Sequence, residues 1–109
     1  MNEKTVLDML GALAQETRLR IVRYLVERGD VGASAGDVAK QVGAASSRAS
    51  FHLSALEQAG VITSERQSRR ILYRAAFDNI GGLMSFMLND CCGGNADIRA
   101  CCVGKSDCC

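Results

Sequence analysis

Several residue types and patterns are absent from this sequence, and each absence excludes a class of protein. The 109 residues contain no proline, no internal repeat and no long linker, which predicts one domain. One histidine is present, His52, and no glycine-rich loop suited to cradling an anion is found. Because catalysis needs an acid–base constellation that a single histidine does not supply, we do not expect an enzyme.

Long apolar runs are absent as well. No stretch of about 18 apolar residues exists, so we predict no membrane span and no membrane partner. The opening segment MNEKTVLDML contains Glu3 and Asp8, where a secretory leader needs an unbroken apolar run. We therefore expect a cytoplasmic protein. In a reducing compartment, cysteines are more often ligands or reactive thiols than structural disulfides.

An excess of one charge is also absent, since the formal net charge is +1. The chain therefore has no global basic field, and a nucleic-acid partner would need local positive charge. Such local charge exists in two arginine clusters: Arg18, Arg20 and Arg23, and Arg66, Arg69, Arg70 and Arg74.

Helical spacing of apolar residues dominates the first sixty positions. It predicts a helix over residues 5–14, a second from about Glu16 to Arg28, and a short third, AGDVAKQV, capped by Ser34. A fourth helix follows in AASSRASFHLSALEQAG, where Ser46 or Ser47 can cap. The short third helix, the small-residue turn and the polar leading face of the fourth are typical of a helix-turn-helix.

The period then changes from helical to alternating. VITSER and RILYRA predict two short strands, with Ile71, Tyr73 and Ala75 on one face of the second. The intervening QSR lacks the Asn-Gly of a tight hairpin, so we expect a looser, mobile, arginine-rich loop. A strongly apolar helix, FDNIGGLMSFMLND, follows. The predicted fold is mainly α, a winged helix-turn-helix in the order α-α-α-α-β-β-α. We place this domain at residues 1–90 and a cysteine-rich, poorly ordered tail at 91–109.

Two long segments of the chain resemble the ArsR/SmtB family of metal- and metalloid-responsive repressors. They are LAQETRLRIVRYLVERG and DVAKQVGAASSRASFHLSALEQAGVITSERQSRRILYRA, with the block from Ser50 to Ile62 and the R-x-x-R wing matching the family pattern. The resemblance covers roughly residues 7 to 88. It implies a homodimer formed through the first and last helices, a double-stranded operator DNA as partner, and release of that DNA when an inducer binds.

The two sensor sites of the family can be checked by position. One is a Cys-x-Cys at the start of the short helix before the recognition helix, but SAGDVAKQV has no cysteine. The other uses Asp and His ligands on the last helix, but His52 lies in the recognition helix. The resemblance therefore places the sensing site elsewhere. Some arsenic-sensing members have a Cys-Cys pair just after the last helix and another cysteine a few residues on.

All six cysteines follow Asp90, in three adjacent pairs. Soft thiolates select soft ions, and trivalent arsenic prefers three of them. Adjacent cysteines supply two sulfurs with almost no loop-closure cost, and they close on each other as a disulfide only with strain. The predicted ligands are Cys91 and Cys92, with Cys101 or Cys102 as the third. Cys108 and Cys109 are interpreted as spare ligands, a delivery site or a second weak site.

The residues predicted to contact DNA are small and polar, or basic. For His52, contact with a phosphate or base and packing against a neighbouring helix are equally favoured. The arginines at the wing tip suit a phosphate or the minor groove. The predicted set is Ser46, Ser47, Arg48, Ser50, His52, Arg69 and Arg70.

The hypothesis with the most support is an arsenite-responsive repressor that leaves its operator when As(III) binds the tail thiolates, with Sb(III) as an alternative inducer and no organic cofactor. A second hypothesis keeps the fold and changes the signal to another soft metal ion, an organoarsenical or an oxidant. A third, of a different class, is a thiol metal carrier.

Overall fold

The computed structural model describes residues 1–91 and 93–103. Most of this part is helical, with one small sheet. A 3₁₀ turn, Gly29–Val31, follows the second helix, and a π-helical segment, Phe86–Cys91, continues the fifth. The elements are α1 (Glu3–Leu13), α2 (Glu16–Arg28), β1 (Ala33–Ser34), α3 (Ala35–Val42), α4 (Ser46–Gln58), β2 (Ile62–Gln67), β3 (Arg70–Ala75), α5 (Phe77–Ser85) and α6 (Ala96–Val103). Within the described ranges, no helix has the length and apolar character needed to cross a bilayer.

Some of the helix ends follow the capping residues of the sequence, and others do not. Ser34 caps α3 by accepting a hydrogen bond from the Asp37 backbone N–H at 3.2 Å, as predicted. The prediction that Ser46 or Ser47 caps α4 is wrong. The residue before this helix is Ala45, which makes no side-chain capping bond, and the two serines are the first residues of the helix itself.

The core lies where α1, α2 and α4 pack on the sheet and on α5. Its largest fully buried side chains include Met9, Ile21, Leu25, Leu53 and Leu56. Burying a side chain of this size contributes about 1.5–3 kcal/mol, so these residues supply much of the stability. The core packs against one face of α4, so the opposite face of that helix is the one exposed to solvent.

The sheet has three antiparallel strands in the order β1-β3-β2. β1 was not predicted, because it has only two residues and its partner Leu72 is 38 positions away from Ser34. The register of β3 is unbroken, so Ile71, Tyr73 and Ala75 share one face, as predicted. Leu72, on the other face, is buried, whereas Ile71 is 42% exposed. Gly32, just before β1, lies close to Leu72, because an added Cβ would lie 3.1 Å from Leu72 Cγ.

The tip of the wing is tighter than predicted. β2 and β3 remain paired as far as Gln67 and Arg70, so only Ser68 and Arg69 form the turn. Ser68 has a φ of +56°, a left-handed conformation that two-residue hairpins require and that Gly or Asn usually supplies. The prediction of a looser loop fails because a serine adopts this conformation here.

The chain after α5 folds back on itself. The Gly94 N–H donates to the Leu88 carbonyl at 2.8 Å, and Gly93 and Gly94 have φ values of +63° and +68°. Asn95 then accepts hydrogen bonds from the Asp97 and Ile98 N–H groups at the start of α6. We predict poorly ordered chain after Asp90, and within this segment residues Ala96–Val103 form α6. The sequence signal was Asn95, a good capping residue.

Candidate nucleic-acid interface

The α4 helix has one buried and one exposed face. Ala49, Leu53 and Leu56 are fully buried, as their spacing predicted. The predicted DNA-contacting residues Ser46, Ser47, Arg48 and Ser50 are all exposed, and together they form the first turns of the helix. Hydroxyl and guanidinium groups at the start of such a helix can reach the acceptors of a DNA groove.

The wing supplies a second exposed basic group. Arg69 lies in the two-residue turn and Arg70 begins β3, and both are exposed. Neither forms an ion pair with a carboxylate in the part of the chain that the structure describes. Both guanidinium groups are therefore available to phosphates.

Arg74, in the same cluster, bonds to other residues of the fold. Its Nη1 lies 2.6 Å from Glu65 Oε1, and its Nε donates to the Asp30 carbonyl at 2.7 Å. The hydrogen bond and the charge of Arg74 hold the pKa of the Glu65 carboxyl below its usual value. Arg74 therefore ties the wing to the turn after α2.

His52 lies on the inner side of α4, the arrangement that the packing alternative predicts. Only 7% of it is exposed, and its Nδ1 accepts a hydrogen bond from Arg18 Nε at 3.0 Å. Burial, followed by the charges of Arg18 and Arg48, lowers the pKa of the imidazole below its ordinary value. A neutral ring is also what the bond requires, because Nδ1 must accept.

The lowered pKa of His52 predicts a loss of stability in mild acid. An unfolded histidine, with an ordinary pKa of 6.5, binds a proton before the folded one does, so the free energy of unfolding falls as the pH drops through about 6.5. We expect the melting temperature to fall between about pH 7.5 and 5.5, and to fall less in His52→Asn. Asparagine keeps an acceptor near Nδ1 but does not titrate. Equal pH dependence in both proteins, followed by circular dichroism, would contradict this prediction.

Phe51 is a surface residue outside the predicted DNA-contacting set. It is 64% exposed on the outer face of α4, and the Arg18 guanidinium carbon lies 5.7 Å from its ring centroid. The signal was available: the inward spacing of Ala49, Leu53 and Leu56 leaves position 51 outside the core.

A second exposed surface is apolar and lies on α1 and α5. Leu7 is 61% exposed on α1 and Met84 is 47% exposed on α5. The residues before α1 lie beside α5, because a Cβ on Gly82 would lie only 2.9 Å from the Met1 side chain. α1 and α5 are the first helix and the last helix of the predicted domain, which were expected to form the dimer interface.

The side chains of the predicted arsenic ligands lie outside the described part of the structure. Cys92, Cys108 and Cys109 lie outside the described residues, as do the side chains of Cys91, Cys101 and Cys102. Among the side chains that are described, no group of three His, Cys, Asp or Glu could hold a metal ion.

One hydrogen bond joins the helical segments in which two of the cysteine pairs begin. Arg99 on α6 donates from Nη2 to Oδ1 of Asn89. Asn89 precedes Cys91 by two residues, and Arg99 precedes Cys101 by two residues. The bond therefore connects equivalent positions ahead of the first and second cysteine pairs.

Known proteins are similar to this chain in sequence and in fold. Residues 13–65 match the model of a helix-turn-helix domain family. The HTH-type transcriptional regulator YgaV of Escherichia coli K12 is 31% identical over 84 residues, which cover 77% of this chain and 83% of the relative. The solution structure of a homodimeric winged helix-turn-helix DNA-binding domain from Mycobacterium bovis, described as a possible ArsR-family transcriptional regulator, is 26% identical. It has a TM-score of 0.66 and covers 77% of this chain and 75% of its own.

The chain belongs to the ArsR family of winged helix-turn-helix transcriptional regulators. Another solved structure, a possible transcriptional regulator for arsenical resistance, is 28% identical with a TM-score of 0.64. The match covers 73% of this chain and 80% of that one.

The family assignment confirms the predicted fold class and the predicted resemblance. This ArsR-family regulator has the expected order of helices, hairpin and last helix, to which the structure adds β1 and α6. Its DNA-binding element is α3 followed by α4, with the β2–β3 hairpin as the wing. The DNA-contacting residues on α4 and the wing, the inducer and its thiol ligands stay predictions.

Proposed function

We propose that this ArsR-family regulator is a repressor that binds operator DNA as a homodimer and leaves it when trivalent arsenic binds thiolates of its tail. The observation that most supports DNA binding is the exposed polar start of α4. The opposite side of this helix is a fully buried apolar stripe. The cluster of six cysteines after Asp90 most supports the arsenic half.

Binding to DNA would use two parts of the fold. α4 enters the major groove with Ser46, Ser47, Arg48 and Ser50 leading, where hydroxyl and guanidinium donors meet base and phosphate acceptors. The wing-tip arginines neutralise phosphates beside the groove. Because phosphate contacts release condensed counterions, the affinity falls as salt rises.

Dimerisation would use the apolar surface of α1 and α5. Exposed side chains such as Leu7 and Met84 are costly in water, and a second copy of the chain would cover them. A two-fold dimer places its two α4 helices about 34 Å apart, in successive major grooves of a palindromic operator. The homodimeric state of the Mycobacterium bovis relative supports this arrangement.

The inducer would bind close to the dimer surface. Cys91 ends the segment that continues α5, and the Asn89–Arg99 bond holds α6 against that segment. Cys91 and Cys92, with Cys101 or Cys102, would supply three soft thiolates to As(III). Sb(III) has the same ligand preference. The relative linked to arsenical resistance supports the choice of arsenic.

The induction step requires a free-energy difference between two states. Arsenic must bind the DNA-free dimer more tightly than the DNA-bound one, and the coupling is typically about 1–3 kcal/mol. A change at the end of α5 reaches the dimer surface directly, and the spacing of the two α4 helices depends on that surface. The proposed compartment is the cytoplasm, where reducing conditions keep the thiols free.

The direct test is a titration of arsenite into the complex of the protein with a fluorescein-labelled operator, followed by anisotropy. Release by arsenite, without release by cadmium or by an oxidant, is the expected result. Release by an oxidant and its reversal by dithiothreitol would instead show redox sensing through the same thiols. Absence of operator binding under every condition would favour the thiol metal carrier.

The wing arginines give a prediction specific to the DNA-binding half. Arg69→Ala with Arg70→Ala removes two positive charges per subunit from the phosphates, so binding should weaken to a similar degree on all DNA sequences. The slope of log K against log salt should become shallower by about 0.9 for each phosphate that is no longer neutralised. Anisotropy over a salt series measures this slope.

A matched control is Arg20→Ala, since Arg20 is an exposed arginine on α2 that faces Glu16 at 3.9 Å. It removes one positive charge without touching the wing, and its salt slope should equal that of the wild type. An unchanged slope in the wing variant would rule out phosphate binding there.

A further inference from the structure

Phe51 is the most exposed aromatic ring on the helix that meets DNA in the proposed function. It is the sixth residue of α4, one turn after Ser47 and one turn before Ser54, which are both exposed. The residues of a recognition helix that reach base edges come from its N-terminal part. Phe51 therefore lies within the stripe that faces the groove.

The ring is held in place by residues outside that stripe. The Arg18 guanidinium lies over it, with Cζ 5.7 Å from the ring centroid. The His52 ring meets it edge-on, at 5.7 Å between centroids and an interplanar angle of 62°. Arg18 is itself bonded to His52. These contacts restrict the ring before any ligand arrives, so little ordering is needed on binding.

The chemistry of the ring selects one feature of the major groove. Phenylalanine offers no hydrogen bond, so it would leave the polar edge of a guanine, cytosine or adenine without a partner. Thymine alone presents an apolar group there, its C5 methyl. The side chains around Phe51, mainly serines, can form hydrogen bonds with the neighbouring bases and phosphates.

We infer that Phe51 is a specificity-determining residue that contacts the C5 methyl of one thymine in each half of the operator. This inference rests on the proposed DNA-binding function and deepens it. It adds a base preference to a helix whose other exposed groups at its start are hydrogen-bond donors.

The test replaces thymine by uracil, which removes only the methyl group. An operator is first selected from random duplexes with the wild-type protein, and each thymine is then changed singly and in symmetric pairs to deoxyuridine. One symmetric pair should weaken wild-type binding by about fourfold per half-site, the fold-change expected for one buried methyl. Phe51→Ala should bind the thymine and uracil operators equally.

Two further variants make the result specific. Phe51→Leu keeps an apolar side chain and should keep part of the thymine preference. Val31→Ala changes another 64% exposed apolar residue, outside α4, and should keep all of it. Circular dichroism melts confirm that each variant is folded, which the exposure of both positions favours.

The possible outcomes distinguish failure of the role inferred for Phe51 from failure of the proposed function. Specific binding with thymine and uracil bound equally by the wild type, or an unchanged preference in Phe51→Ala, would overturn the role of Phe51 alone. A wild-type protein that selects no DNA sequence would overturn the proposed function and this inference together.

Discussion

Replacing Cys91 and Cys92 together by serine is expected to abolish release of the operator by arsenite while leaving the affinity for DNA unchanged. The change removes two of three proposed thiolates, and a serine hydroxyl is a poor ligand for a soft ion. The arsenite concentration for half-release should rise by more than about 100-fold. Removing a residue that only hydrogen-bonds to a metal ligand already costs about 10–100-fold in affinity, and losing two ligands should cost more. Anisotropy of the labelled complex measures both the release and the DNA affinity.

The third cysteine pair is the matched control for this experiment. Cys108→Ser with Cys109→Ser makes the same chemical change in the same tail, and it should keep the arsenite response if these residues are spare. Single changes at Cys101 and Cys102 then identify the third ligand. A normal arsenite response in the protein lacking Cys91 and Cys92 would refute the proposed sensing site without affecting the DNA-binding half.

Replacing Gly32 by alanine is expected to destabilise the fold strongly. Gly32 has a φ of +69°, and an added Cβ would lie 2.6 Å from the Tyr73 carbonyl oxygen and 3.0 Å from Arg74 Cγ. Backbone strain and overpacking each cost about 1–3 kcal/mol, so we expect a loss of about 3 kcal/mol in the free energy of unfolding. For a domain of this size, that lowers the melting temperature by roughly 15 °C.

The contrast with Gly36 shows whether the effect comes from this geometry. Gly36 is near the start of α3, and a Cβ there would meet only Ser34 Oγ at 3.9 Å, an ordinary van der Waals distance. Gly36→Ala should therefore be neutral or stabilising, by up to about 1 kcal/mol. Thermal and urea unfolding of both variants measure the difference. Equal stability of the two would mean that the packing of Gly32 against β3 is not tight.

The sequence predicted the elements whose residues repeat with a clear period. The predicted limits of α2 and of β3 are those of the structure, and β2 lies one residue later in the chain than predicted. It did not predict β1, because two residues show no period and the pairing with β3 is long-range. It also misjudged the wing turn, since a serine takes a left-handed conformation that composition does not indicate.

The candidate site was predictable in part for the same reason. Helical spacing of Ala49, Leu53 and Leu56 determines which side of α4 faces outward, so the serines and Arg48 were placed correctly on the surface. His52 lies three residues after Ala49 and four before Leu56, so the same spacing allows it to face inward. Spacing does not identify its partner Arg18, a residue 34 positions earlier, because only the tertiary structure brings the two together.

The bond from Arg18 to His52 limits how the recognition helix of this protein can be engineered. A graft of α4 alone into another winged scaffold would move His52 without its donor, and would leave a buried ring nitrogen unsatisfied. It would also remove the cation that lies over Phe51. The transferable unit is therefore α4 together with the start of α2, and exchanges of operator preference between relatives should include both segments.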